Sequence, residues 1–91
     1  MAAPKELKYE IINYIGIVSQ QSGGWNIELN RISWNSGEPK YDLRSWSPNH
    51  EKMGKGITLT EEALRGLKKV IDKEIAFLDE EAYLITMVHC I

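Results

Sequence analysis

Residues 41–64, YDLRSWSPNHEKMGKGITLTEEAL, constrain this chain more than any other stretch. They run an alternating strand, a Pro-Asn turn, a glycine-flanked lysine, a second strand and a helix start together without a break. The alternation puts Tyr41, Leu43 and Ser45 on one face and Asp42, Arg44 and Trp46 on the other. The second face therefore carries a guanidinium and an indole two residues apart. Such a pair suits a flat, stacking, anionic ligand, and single-stranded nucleic acid is the clearest instance. The same residue types also occur on ordinary solvated sheets.

Ninety-one residues make one small domain with no room for two cores. A domain of that size buries a modest share of its surface, so oligomerisation is an expected source of stability. An apolar share of 43% with 26% charged residues belongs to a globular chain, not a disordered one. No apolar run reaches the ~18–20 residues of a membrane span, and MAAPKELKYE lacks the apolar stretch of a signal peptide. Cys90 is the single cysteine and cannot form an internal disulfide, which fits a reducing compartment. The expectation is a soluble cytoplasmic protein.

A net charge of −2 runs against the basic excess of most nucleic-acid binders. The distribution matters more than the total. Residues 25–59 carry five bases and four acids, whereas residues 60–91 carry four bases and seven acids. The acidity sits in the last third and leaves the middle slightly positive.

Residues 1–9 read as a flexible arm. Residues 10–20 are rich in β-branched and aromatic types and predict a first strand. Ser22-Gly23-Gly24 is a turn, residues 25–34 a second strand, and Asn35 to Pro39 a break. Residues 40–46 form a third strand, residues 47–55 a polar loop and residues 56–59 a short fourth strand. Thr60 is an N-cap, with Glu61 and Glu62 in the first turn where the helix dipole favours acids. Leu64, Leu67, Val70, Ile71, Ile75 and Leu78 then recur at helical spacing as one apolar stripe. It covers the sheet, or packs in part on a twin helix. Residues 79–91 form an apolar tail compatible with strand or helix, expected to dock on the body or on a partner.

Catalytic and metal motifs are absent. Gly54-Lys55-Gly56 lacks the spacing of a phosphate loop. His89-Cys90 is too isolated for zinc. His50 beside Glu51 reads as a solvated pair, and no nucleophile–base arrangement stands out. The chain reads as a non-enzyme that needs no cofactor. The tryptophans carry the positive argument. Trp25 is in phase with Ile27 and Leu29 and reads as core. Trp34 ends a strand beside a turn, and Trp46 shares its face with Asp42 and Arg44. Those neighbours make burial costly, so both are expected to stay partly exposed as stacking surfaces.

Tyr41-Asp42-Leu43-Arg44, then Trp46, then Lys52-x-x-Lys55-Gly56-Ile57-Thr58-Leu59 and a helix, resembles the family of the transcriptional coactivator positive cofactor four. The likeness is greatest to bacterial and phage homologues and covers residues 10–72. It implies an α+β fold: a four-stranded, curved antiparallel sheet followed by one helix, forming a homodimer through that helix. It also implies binding of single-stranded or unpaired DNA in the concave channels. By the resemblance, Arg44, Trp46, Lys52 and Lys55 match DNA-contacting positions, Trp34 matches an aromatic contact, and Lys40 is a further match. The acidic charge departs from the family pattern, and the segment beyond Lys73 has no counterpart in it.

The domain proper is thus expected over residues 10–78, with Leu67, Val70, Ile71 and Ile75 at the dimer interface. Its expected role is sequence-tolerant single-stranded DNA binding, with RNA as an alternative strand. That role would serve transcription, or replication, recombination and repair, in the nucleoid of a bacterial or phage-infected cell. Polymerase or replication factors are further expected partners. The rival reading is a protein-interaction module with secondary nucleic-acid contact. No recognition helix for duplex DNA is visible, since the helix is apolar on one side and acidic at its start.

Overall fold

Two short turns and a run of bulges decide how this chain folds. The computed structural model describes residues 8–89. Four strands, β1 (Tyr9–Gln20), β2 (Asn26–Trp34), β3 (Lys40–Trp46) and β4 (Met53–Leu59), are followed by one helix, α1 (Glu61–His89). The strands lie in sequential order, each antiparallel to the next. The chain divides into two compact units after Glu61, the sheet and the helix.

The hairpins follow from local chemistry. Between β1 and β2, Gly23 (φ 74°) and Gly24 (φ 78°) take the left-handed backbone that glycine adopts without a Cβ penalty. After β2, Asn35 (φ 50°) and Ser36 (φ 62°) are both left-handed, as a primed turn requires. The Gly37 N–H donates back to the Trp34 carbonyl at 2.8 Å. Asn35 also ties down the start of β1: its Oδ1 accepts from the Lys8 N–H (3.2 Å), and its own N–H donates to the Lys8 carbonyl (2.7 Å).

The sheet curves because β1 is longer than the strand it pairs with. Its register slips between Ile11 and Asn13, between Tyr14 and Gly16, and between Ile17 and Ser19. Ile12, Ile15 and Val18 are therefore extra residues, one every third position. Each such bulge bends the strand and tightens its right-handed twist. A further slip opposite Ser45 inserts a residue into β4.

Curvature makes the two faces unequal. In register, Glu28, Asn30, Ile32 and Trp34 of β2 share a face with Lys40, Asp42, Arg44 and Trp46 of β3. Ile32, Trp46, Asn30 and Asp42 on this face are almost wholly buried. Tyr9 pairs with Trp34 on the adjacent strand, yet its ring also reaches Trp46, one strand further, at 5.7 Å. Side chains converge here, so this is the inner, concave face. On the other face Ile27, Leu29, Tyr41, Leu43 and Leu59 are only half-buried, and Ile57 is exposed.

The strands expected at residues 10–20, 25–34 and 40–46 are present to within one residue. The fourth is a correction. It begins at Met53, not at residue 56, so Gly54 and Lys55 belong to the sheet rather than to the loop. The glycines that suggested a loop instead let β4 approach β3. A Cβ on Gly56 would lie 2.5 Å from the Leu43 carbonyl oxygen and 2.6 Å from Arg44 Cβ. The expected arm is shorter, since Tyr9 already pairs in β1; residues 1–7 lie outside the described residues.

Residues 79–89 continue α1 without a break, and Cys90 and Ile91 lie outside the described residues. At 29 residues the helix is about 43 Å long. Leu64, Ile71, Leu78 and Ile85 recur at intervals of seven along it. Leu64 and Leu67 are half-buried, whereas Val70, Ile71, Ile75, Leu78 and Ile85 are exposed. No helix among the described residues is long and apolar enough to cross a membrane.

Two glycine substitutions separate the backbone argument from mere composition. Gly56→Ala should lower unfolding free energy by ~1–3 kcal/mol, because its methyl meets backbone that cannot yield. Gly66→Ala, in the helix with nothing within 4 Å of its Cβ, should instead stabilise by about 1 kcal/mol. Urea unfolding followed by circular dichroism measures both.

Candidate nucleic-acid interface

Asp42 sits in the middle of the inner face with no solvent exposure. A carboxylate there must be paired, since burying a lone charge is prohibitive. Arg44, two residues along the same strand and so on the same face, supplies the partner. Its Nε donates to both Asp42 oxygens (3.0 and 3.3 Å), and its Nη2 donates to Oδ2 (3.0 Å). Nη1 donates to the Gly54 carbonyl at 3.0 Å. The Thr58 hydroxyl, across on β4, donates to Asp42 at 3.4 Å.

Arg44 is thereby immobilised, with its guanidinium carbon 5.3 Å from the centre of the Trp34 ring. Cation–π attraction favours that placement. A guanidinium has five N–H donors, and three of them serve Asp42 and Gly54. The Arg44 side chain keeps 16% exposure. A cation held in one orientation, with spare donors and an aromatic neighbour, can bind a phosphate or a base edge at low entropic cost.

A second cluster lies along the same face. His50 enters from the β3–β4 loop in a left-handed conformation (φ 61°). Its ring stacks on Trp46 at 4.0 Å and 4° from parallel. Its Nε2 lies 2.9 Å from Glu28 Oε1, and the Asn30 amide donates to that same oxygen at 3.1 Å. Tyr14 tilts against the His50 ring at 5.8 Å and is 71% exposed. Tyr14, Ile17, Glu28, Asn30 and His50 line an open cleft of about 250 Å³.

The residues expected to touch DNA meet different fates. Trp34 is half-buried and packs against Tyr9 at 5.8 Å. Trp46 is fully buried, which corrects the expectation that it stays partly exposed. Its polar neighbours do not force it outward because they satisfy one another: Asp42 is consumed by Arg44, and His50 and Tyr9 cover the indole. The indole N–H groups of Trp34 and Trp46 are both buried without an acceptor. Lys40, Lys52 and Lys55 are exposed.

Lys55 lines a cleft of about 320 Å³ with Gln21, Ile27, Leu43, Arg44 and Ser45; Ile27, Leu43 and Ser45 belong to the outer face, so this cleft opens on the side opposite the Asp42–Arg44 pair. Lys40 lies apart from them, in a cleft shared with Arg31, Glu38 and Glu61. Lys52 sits at the neck of the 47–52 loop, where its carbonyl accepts from the Ser47 N–H (2.9 Å) and its N–H donates to the Ser47 hydroxyl (2.9 Å).

Sequence reasoning missed Tyr14, Glu28 and Asn30, and it assigned His50 to Glu51. Glu28 and Asn30 were within reach. They alternate in phase with Trp34, so any strand that pairs β2 with β3 delivers them to the Arg44 face. Tyr14 was not, because the bulges of β1 break the alternation that would have placed it.

The model of the family described as Transcriptional Coactivator p15 (PC4) matches residues 22–70, which span β2, β3, β4 and the first turns of α1. A protein of Treponema pallidum (strain Nichols), described as an uncharacterized protein, is 42% identical over 67 residues. The match covers 74% of this chain and 79% of that relative.

The Asp42–Arg44 pair yields a direct test. Asp42→Ala leaves a largely buried guanidinium without its counter-charge and should cost about 3 kcal/mol or more. Arg44→Ala strands the buried carboxylate and should cost a similar amount. A double-mutant cycle read by urea unfolding should show strong coupling between the two sites, and additive losses would refute the pairing.

Proposed function

This chain belongs to the PC4 family, and on that premise we propose that it binds single-stranded nucleic acid along the concave face of its sheet. The family is one of nucleic-acid-binding, coactivator-like proteins. The single-strand reading for this chain rests on one observation above the others. Arg44 is held rigidly by a buried carboxylate over the Trp34 ring, on a curved face that also exposes Tyr14.

Each part of that arrangement has a task in the proposal. Arg44 offers its remaining donors to a phosphate or a base edge. Trp34 and Tyr14 give aromatic surface to bases, each stack contributing ~1–3 kcal/mol. Lys52 follows the backbone at the loop end of the sheet, Lys55 meets it where the strand passes over the β4 edge towards the outer face, and Lys40 does so at the other end of β3. Every base has a π face and every nucleotide a phosphate, so recognition of this kind is tolerant of sequence. A curved sheet of this width suits a flexible single strand better than a stiff duplex.

The helix supports a second element of the proposal, a homodimer. Leu64, Ile71, Leu78 and Ile85 repeat every seven residues, which is the spacing at which two helices meet along a seam. A two-fold contact through Leu67, Val70, Ile71 and Ile75 would cover side chains that are exposed or half-buried in one chain. Two channels on one particle would let a long strand engage both and gain avidity.

Salt dependence checks the phosphate contacts. Each neutralised phosphate contributes ~0.7 to the slope of log affinity against log salt for single strands. Lys52→Ala combined with Lys55→Ala should flatten the slope by about 1.4, and an unchanged slope would remove both from the interface. Light scattering checks the dimer. The wild type should show twice the 10.4 kDa chain mass, and Ile71→Asp should return it towards a monomer. A wild-type mass equal to one chain would discard the homodimer.

A further inference from the structure

The stacked imidazole of His50 makes the contacts a nucleobase would make. It lies flat on Trp46 at 4.0 Å and 4°, which is base-stacking geometry. At its edge, Nε2 meets the Glu28 carboxylate at 2.9 Å, as the donor edge of a base would. A carboxylate is acceptor-only, so Nε2 carries the proton in this contact. The cleft lined by Tyr14, Glu28 and Asn30 opens directly beside it.

We infer that His50 is a displaceable placeholder in a nucleobase slot, and that a base entering the channel replaces it on Trp46 and presents its own donor to Glu28. The inference rests on the proposed single-strand binding and deepens it, since it supplies a way for a fully buried Trp46 to be reached.

The loop is built for that exchange. Its internal bonds use backbone and the side chains of Ser47 and Asn49: Ser47 Oγ donates to Asn49 Oδ1 (2.8 Å), Glu51 N–H donates to the same oxygen (3.1 Å), the His50 backbone N–H donates to the Ser47 carbonyl (2.9 Å), and Lys52 closes the neck on Ser47. None of these passes through the imidazole. The ring can therefore swing out about its side-chain torsions while the loop keeps its shape. The Trp46 indole N–H is buried without an acceptor in the closed arrangement. A ligand rich in acceptors could satisfy it.

Glu28 gives the slot a preference. When His50 leaves, Glu28 Oε1 loses one of its two donors and keeps only Asn30. An amino-bearing edge restores the missing bond. Cytosine carries such an edge, with its exocyclic N4 donors. Thymine offers one ring N–H between two carbonyl oxygens that repel a carboxylate. At equal ring size, the slot should favour cytosine.

Proton NMR of the wild-type protein is the primary test, because it needs no variant. In the free protein the His50 ring protons should be shifted upfield by the Trp46 ring current, and saturation with oligo-dC should return them towards solvent-exposed positions. Oligo-dC bound with those signals unmoved would overturn the inference alone. Failure to bind any oligonucleotide would remove the proposed function and the inference together.

Affinities give the second readout. His50→Ala should bind oligo-dC about three- to tenfold more tightly, the range expected when an ordinary hydrogen bond and stack no longer compete. Weaker or unchanged binding would make His50 a ligand contact or a bystander and overturn the inference. Wild type should prefer oligo-dC to oligo-dT by at least about threefold, and Glu28→Gln should abolish that preference. Equal affinities in the wild type would overturn the role given to Glu28.

Discussion

A carboxylate buried inside a curved sheet sets the terms for everything around it. Asp42 has no access to water, so it holds Arg44 by three short contacts and is itself approached by Thr58. Fixing Arg44 fixes the cation over Trp34 and ties β3 to the Gly54 carbonyl of β4. Gly56 allows the two strands to come close enough for this, since any side chain at that position would collide with Leu43 and Arg44. A buried ion pair contributes little net stability against a well-packed apolar alternative. It does give a cation one orientation, and a recognition surface needs that orientation more than it needs stability.

Curvature is the second constraint, and it explains where sequence reasoning succeeded and where it failed. Alternation in residues 41–46 assigned the two faces of β3 correctly, because side-chain period depends only on local backbone. Whether a face is open or closed depends on how strongly the sheet bends. The bend comes from three bulges in β1, which carry no composition signal beyond extra β-branched residues at Ile12, Ile15 and Val18. Trp46 was expected to stay partly exposed because of its polar neighbours, and it is found buried beneath His50 and Tyr9. His50 was paired on paper with its sequence neighbour Glu51. It meets Glu28 instead, 22 positions away, a partner no local window could supply.

The helix was legible in a different way. Its N-terminal signals and apolar stripe gave the start and one face, but a second segment was expected after residue 78. The run of Asp79, Glu80 and Glu81 resembles a boundary by composition. It is tolerated within α1 because acids are adequate helix formers on an exposed face. The seven-residue recurrence of Leu64, Ile71, Leu78 and Ile85 crosses that run unbroken and continues the apolar stripe into what looked like a separate tail.

The central proposal is that a concave, aromatic face with a fixed arginine selects unpaired strands in spite of a net charge of −2. Fluorescence anisotropy with one labelled oligonucleotide, alone and annealed to its complement, tests this most directly when titrated at several salt concentrations. The account predicts clear binding to the single strand, much weaker binding to the duplex, and a preference that persists as salt weakens both. Equal affinity for the two forms, or tighter binding to the duplex, would contradict it.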